Sequence, residues 1–187
     1  MIILASASPR RREKMKAVTE DFQIIVSDID EEKSYNLPPL EAVLDIAKRK
    51  GEKIHLLHPH DYVLSADTIL VLNNEIIGKP IDKEDAYRIL RKLSGNKHQV
   101  ITAYCWFKDD KLIENYVTSD VVFNDLSDQL INDYIATGSP MDKAGAYGAQ
   151  DNNDFLIVKE IIGSRDNVIG FPTKEIKEDF ERIKKAQ

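Results

Sequence analysis

Near the start of the chain a short apolar run, Ile2-Ile3-Leu4-Ala5, empties into Ser6-Ala7-Ser8-Pro9 and then Arg10-Arg11-Arg12. Proline suits the first helical position because its missing N–H would have had no partner there. Amide N–H groups at a helix start attract anions, and guanidinium forks match phosphate oxygens in pairs. Small hydroxyl side chains followed by arginines at a helix start read as a seat for a polyphosphate, with Ser6, Arg10 and Arg11 as its binding residues. Residues 10–16 hold five cations (Arg10, Arg11, Arg12, Lys14, Lys16) against one anion, Glu13. The plain reading of such a charge run is a solvated helix face; the Ser-x-Ser-Pro turn in front of it favours the anion seat.

Further along, Leu64-Ser65-Ala66-Asp67-Thr68-Ile69-Leu70 sets one carboxylate inside an apolar run. A strand aspartate costs desolvation energy unless it is hydrogen-bonded, paired or bound to a cation. Asp67 is therefore either a structural group satisfied by a neighbouring turn or a functional carboxylate. Gly78-Lys79-Pro80 fixes an ammonium between a flexible residue and a rigid one. Lys50 lies beside Ala47 on a helix face, where a lysine ordinarily snorkels to solvent. The loop Asp28-Ile29-Asp30-Glu31-Glu32 offers hard oxygen ligands suited to Mg²⁺ or Mn²⁺, or is a solvated acidic turn. His55, His58 and His60 flank Pro59 and read as a helix end and loop, since no cysteine or carboxylate nearby completes a zinc site. Lys143-Ala144-Gly145-Ala146-Tyr147-Gly148-Ala149-Gln150 is a small-residue loop that lets a ligand approach the backbone; it lacks the Gly-Lys-Ser/Thr of a Walker loop.

The elements that must position these groups alternate. Ile2–Leu4 reads as a strand, Arg10–Val18 as a helix, and Phe22–Val26 as a strand delivering the acidic loop. Pro38-Pro39 opens a helix with Leu40, Val43, Leu44, Ala47 and Ile54 on one face. Tyr62–Leu72 is a long strand turning at Asn73-Asn74 into Glu75–Gly78. Asp82 caps a helix over Lys83–Leu93. Gln99–Phe107 and Leu112–Phe123 form a hairpin across residues 108–111. Ser127 caps a helix ending near Thr137-Gly138, Phe155–Ile162 is a strand, and Pro172 begins a last helix. This is an α/β pattern with much antiparallel pairing.

The chain has 187 residues, a net charge of −6 and 42% hydrophobic content, which fits one domain spanning residues 1–187. The negative balance argues against nucleic-acid binding, which draws on excess lysine and arginine, but suits a single basic mouth that focuses a small anion. No run of about 18 apolar residues indicates a membrane span. The N-terminal apolar stretch precedes its basic block, the reverse of a signal peptide. A single cysteine, Cys105, suits a reducing cytoplasm.

Taken in order, Ser6-x-Ser8-Pro9-Arg10-Arg11, Asp28-Ile29-Asp30-Glu31, Ala66-Asp67-Thr68, Gly78-Lys79-Pro80, Leu93-Ser94-Gly95 with His98-x-Val100, Asp142 to Gly148 with Gln150, and Asn167-Val168-x-Gly170-x-Pro172 resemble the Maf nucleoside triphosphate pyrophosphatases. The resemblance implies an elongated, curved mixed sheet with flanking helices, shared with inosine-triphosphate pyrophosphatases. It implies hydrolysis of a nucleoside triphosphate between the α and β phosphates, a divalent cation (Mg²⁺ or Mn²⁺), a cytoplasmic setting and a homodimer. Arg10, Thr68 and Gln150 match the branch acting on dTTP and UTP, with modified pyrimidine triphosphates as further candidates; the 7-methyl-GTP branch carries Trp, Gln and Glu there. Glutamine offers both donor and acceptor, as a uracil edge requires.

On this reading Ser6, Arg10 and Arg11 hold phosphates, aided by the helix-start amides, and Lys50 and Lys79 offset charge. Asp67 is the general base, and Asp67 with Glu31 holds the metal. Ser139 departs from the family's usual acidic residue and Asp151 from its usual glycine. The alternatives are a purine or 7-methyl-GTP house-cleaning pyrophosphatase, or a non-catalytic nucleotide-binding regulator of septum formation.

Overall fold

The apolar runs and helical stripes become seven strands and seven α-helices in a computed structural model that describes residues 1–186. In chain order these are β1 (Ile2–Leu4), α1 (Pro9–Met15), β2 (Gln23–Ile24), α2 (Pro39–His55), β3 (Tyr62–Leu72), β4 (Glu75–Ile77), α3 (Lys83–Leu93), β5 (Lys97–Lys108), β6 (Lys111–Phe123), α4 (Asp128–Ala136), α5 (Asn152–Phe155), β7 (Val158–Ile162), α6 (Arg165–Ile169) and α7 (Thr173–Lys185). The strands form one mixed sheet in the order β2-β1-β3-β5-β6-β7, with β4 paired to β3. β1 runs parallel to β2 and β3, placing Leu4 beside Ile24 and Leu64. β4 and β7 pair antiparallel with β3 and β6. The expected α/β class, a mixed sheet with flanking helices, is the one observed.

The chain gathers into two compact units. The first comprises Met1–Thr68, Thr102–Val117 and the chain from Gly170 onward. Its core packs Leu4, Met15, Leu64, Tyr104, Trp106, Phe171 and the α7 stripe Ile176, Phe180 and Ile183. Spacings of four and three put those helix residues on one face. Asp179 shares that buried side and is satisfied there by Tyr104 (2.7 Å), Asn115 (2.9 Å) and Arg182 (2.6 Å). The second unit comprises Ile69–Ile101 and Thr118–Ile169. Its core joins the α3 stripe Ala86, Ile89, Leu90 and Leu93 to Val121, Phe123, Ile131, Tyr134 and Tyr147. Asp82 caps α3 through the Asp85 N–H (2.7 Å), and Ser127 caps α4 through the Leu130 N–H (3.1 Å).

Several element ends differ from the sequence reading. The first helix stops at Met15 rather than Val18, and the following strand shrinks to Gln23–Ile24. Phe155 does not start a strand. It closes the one-turn α5, Leu156 takes a left-handed conformation (φ 49°), and β7 begins at Val158. The Asn152 side chain forces this turn by bonding both the N–H (2.6 Å) and C=O (3.1 Å) of Val158. Among the described residues no helix is long and apolar enough to cross a membrane.

One contact sets the position of α2. Gly51 lies so close to the sheet that a Cβ there would meet the Phe107 ring at 2.2 Å and Ser65 Oγ at 2.5 Å, while Ser65 Oγ donates to Ala47 O (2.6 Å). Gly51→Ala gains roughly 1 kcal/mol of helix propensity, yet overpacking here should outweigh it and give a net loss of about 1–2 kcal/mol. Urea denaturation measures it; an unchanged or raised midpoint would show that α2 can slide.

Candidate functional site

β1 carries the chain to Ser6, whose hydroxyl accepts from the Ser8 N–H (3.2 Å) and from Arg11 Nη1 (3.3 Å). Ser8 caps α1 by accepting the Arg11 N–H (3.3 Å), and its carbonyl accepts the Arg12 N–H (3.0 Å). With Pro9 lacking an N–H, this capping takes up most of the amide donors expected to face phosphate. What this turn leaves for an anion is chiefly side-chain donors. Lys16 pairs with Glu13 (2.7 Å) and Arg12 is exposed, so the outer part of the basic run is a solvated face.

Arg11 is the centre of the first unit's cluster. Its Nε donates to Gly170 O (2.9 Å), its Nη2 to Thr68 Oγ1 (3.0 Å) and its Nη1 to Ser6. Gly170 has φ +105°, and a Cβ there would sit 3.2 Å from Thr68 Oγ1. Glycine suits both that backbone and the close approach of the Thr68 hydroxyl. Thr68 also bonds Thr102 (2.8 Å), so its hydroxyl is engaged in fixing Arg11. Burial lowers the Arg11 pKa, with the Asp67 charge opposing. Arg10, half-buried beside it, makes no side-chain hydrogen bond or ion pair among the described residues.

Asp67 is 8% exposed on β3. Its Oδ1 lies 3.0 Å from Lys50 Nζ, and the same Nζ lies 2.7 Å from Glu31 Oε1. Lys50 is thus a half-buried bridge between two carboxylates, not a snorkelling surface lysine. The Gly51 and Ser65 contacts, one residue from Lys50 and two from Asp67, set α2 against β3 at this point.

Glu31 is delivered by the acidic loop, which α2 holds in turn. Arg49 donates to Asp30 O (2.9 Å) and Asp45 (2.9 Å), Ser34 donates to Asp45 (2.6 Å), and Lys53 donates to Asp28 O. Both carboxylates lie within 3.0 Å of one atom, so they can share one small cation. Among the described residues no group of three or more His, Cys, Asp or Glu gathers to hold a metal. Any remaining ligands would come from substrate and water, as Mg²⁺ commonly arranges. The three histidines engage turns: His55 and His60 bond Asp109 (2.9 and 2.7 Å), and His58 lies 3.5 Å from Asp61.

Lys79 and Gln150 belong to the second unit. Lys79 is exposed and, like Arg10, without a hydrogen bond or ion pair among the described residues. The carbonyl of its neighbour Gly78 accepts the Gly145 N–H (3.1 Å). Gly145 and Ala146 follow one another in left-handed conformations (φ 73° and 58°). A Cβ on Gly145 would strike Leu70 at 2.3 Å. Gln150 is exposed at the end of this loop. Ser139 and Asp151, the two departures from the family pattern, meet: Ser139 Oγ donates to Asp151 Oδ2 (2.7 Å).

The profile of the Maf family, described as "Maf-like protein", matches residues 1–183. The chain belongs to the Maf family. Curated relatives in that family named "dTTP/UTP pyrophosphatase" include one from Thermococcus onnurineus, 44% identical and covering 92% of each chain, and one from Geobacter sulfurreducens, 43% identical over 97% of this chain and 96% of its own. The solved Staphylococcus aureus Ham1 protein shares the fold at a TM-score of 0.53 and 14% identity, covering 97% of this chain and 98% of its own.

Maf motifs alone did not point to Tyr35, Gly170 O, Thr102 or the Arg49–Asp45–Ser34 clamp. The Tyr35 pKa is raised by partial desolvation and by the charges of Glu31 and Asp67. The Asp45 and Arg49 spacing of four on a helix was the one sequence signal for the clamp.

Burial pushes the Asp67 carboxyl above its ordinary range, while Lys50 and Arg11 pull it down. A raised folded pKa favours the native state fully below the unfolded value, and that contribution is lost as pH rises through the folded value. Asp67→Asn removes the cost of holding the charged form. Its Tm relative to the parent should therefore climb as pH goes from about 4 to 7. Thermal unfolding across that window checks this; a flat or falling difference would mean Lys50 fully compensates the buried charge.

Proposed function

We propose that the chain is a nucleoside triphosphate pyrophosphatase that hydrolyses dTTP and UTP to the monophosphate and pyrophosphate. The observation that carries this reading is the Asp67–Lys50–Glu31 bridge set beside Ser6, Arg11 and an unpaired Arg10. A buried carboxylate held ready among cations suits a reaction on a polyanion better than binding alone. The relatives' shared name and near-complete coverage support the substrate class.

In this reading Ser6 and Arg10 hold phosphate oxygens, and Arg11, with three N–H donors already used by the protein, fixes the geometry while adding charge. Lys50 and Lys79 offset further negative charge. Asp67 accepts a proton from the water that attacks the α phosphorus. The bond from that phosphorus to the bridging oxygen breaks, and pyrophosphate leaves. Asp67 and Glu31 fit a Mg²⁺ or Mn²⁺ ion, which when bound polarises phosphoryl oxygens. Gln150 pairs with the base, its amide matching a carbonyl and an N–H of a pyrimidine.

Incubation with dTTP or UTP should release pyrophosphate, and excess EDTA should abolish the release. Orthophosphate as first product, or full activity in EDTA, would overturn the cleavage position or the metal. Asp67→Asn should lower kcat by ~10²-fold or more with the fold intact. In the parent, kcat/KM should fall on the acid side along a limb above the ordinary carboxylate range, because burial raises the Asp67 pKa. Unchanged turnover in a folded Asp67→Asn protein would move the base elsewhere.

A further inference from the structure

The residue expected to read the base has no hydrogen bond from its own side chain among the described residues, yet its backbone is held on both sides by one buried hydroxyl. Tyr134 comes from α4 and is fully buried, its ring tilted against Phe155 at 4.9 Å. Its OH accepts the Gly148 N–H (3.0 Å) and donates to Asp151 Oδ2 (2.7 Å). Gly148 and Asp151 bracket Gln150, and the Asp151 N–H returns to Gly148 O (3.0 Å) to close the turn.

The same carboxylate oxygen accepts from Ser139 Oγ (2.7 Å), and Lys143 Nζ donates to Ser139 O (2.5 Å) and Oγ (3.1 Å). Lys143 is 9% exposed. Within this frame the Gln150 amide lies over Gly148, where a Cβ would come within 2.8–2.9 Å of its Cδ, Nε2 and Oε1. A side chain at residue 148 would push the amide away.

We infer that Tyr134 and Asp151 are positioning residues for substrate selection: their buried hydrogen bond fixes the Gly148–Asp151 turn and so aims the Gln150 amide at the base of a pyrimidine triphosphate. This rests on the reading that Gln150 recognises the base. Burial and the Asp151 charge raise the Tyr134 pKa, so the hydroxyl keeps its proton and its donor role across the working pH range. Glutamine has a long, flexible stem, and an exposed amide discriminates little unless something limits where it points. Restricting the backbone on both sides at once, with Gly148 leaving room for the amide, supplies that limit.

The test is a mutant cycle on kcat/KM for dTTP, UTP, dATP and GTP, with Tyr134→Phe, Asp151→Ala and Gln150→Ala alone and combined. Each hydrogen-bond variant should lower kcat/KM for dTTP and UTP by roughly tenfold, as loss of one buried hydrogen bond allows. The purine triphosphates should change by less than about twofold. In the Gln150→Ala background neither variant should reduce pyrimidine turnover further, because its route of action is gone.

Asp151→Ala removes the acceptor and leaves the buried Tyr134 ring in place, so it decides the matter if Tyr134→Phe lowers stability. Equal losses with all four nucleotides, or losses that add fully to that of Gln150→Ala, would overturn the positioning role and leave a structural one. If Gln150→Ala itself leaves the pyrimidine preference intact, base recognition by Gln150 fails, and the positioning role falls with it for that separate reason.

Discussion

One guanidinium determines whether the first unit has a site at all. Arg11 reaches Ser6 five residues before it, Thr68 in the middle of the chain, and the carbonyl of Gly170 towards its end. Each acceptor lies on a different segment, and the planar fork of arginine is what allows one side chain to meet all three in fixed directions. A lysine there would keep the charge and lose the geometry. Gly170 is the counterpart of that fork, since any side chain would crowd Thr68 and demand a backbone that only glycine adopts readily.

Around this fixed point the charges divide into two kinds. Lys50 pairs with both Asp67 and Glu31 in a partly dry setting, where an unpaired charge would be costly. Arg10 has no such partner among the described residues, whereas Lys16 pairs loosely at the surface with Glu13. Glu31 is held less directly: its loop hangs from Arg49, Asp45 and Ser34, so the more exposed of the two carboxylates depends on a clamp on the outer side of α2.

The long elements were legible because they are strongly patterned. Tyr62–Leu72 and Lys83–Leu93 have the ends their turn and cap residues dictate. The helix that carries the arginines and the strand after it are shorter than their apolar residues suggest; backbone turns over residues 16–19 close the helix. Asn152 hid the α5 turn, since an asparagine that bonds forward to Val158 leaves no trace in a hydrophobic pattern. The site was legible as a set of residue types: Ser6, Arg11, Lys50, Asp67, Thr68 and Glu31 do come together. Their division of labour was not. The engagement of Arg11 and Thr68 with the protein itself depends on tertiary partners that no local spacing announces.

The second unit is nested within the first along the chain: residues 69–101 and 118–169 complete it before Gly170 is reached. The first unit's core, by contrast, needs Leu4 together with Phe171, Ile176 and Ile183. During synthesis from the N-terminus, every contact of the nested unit can form while the arginine-bearing segment still awaits its last partners. Pairings so distant in sequence are slow to close, and a growing chain tends to complete its contiguous units first. The Arg11 cluster, begun at the very start of the sequence, is therefore among the last features of the molecule to come into being.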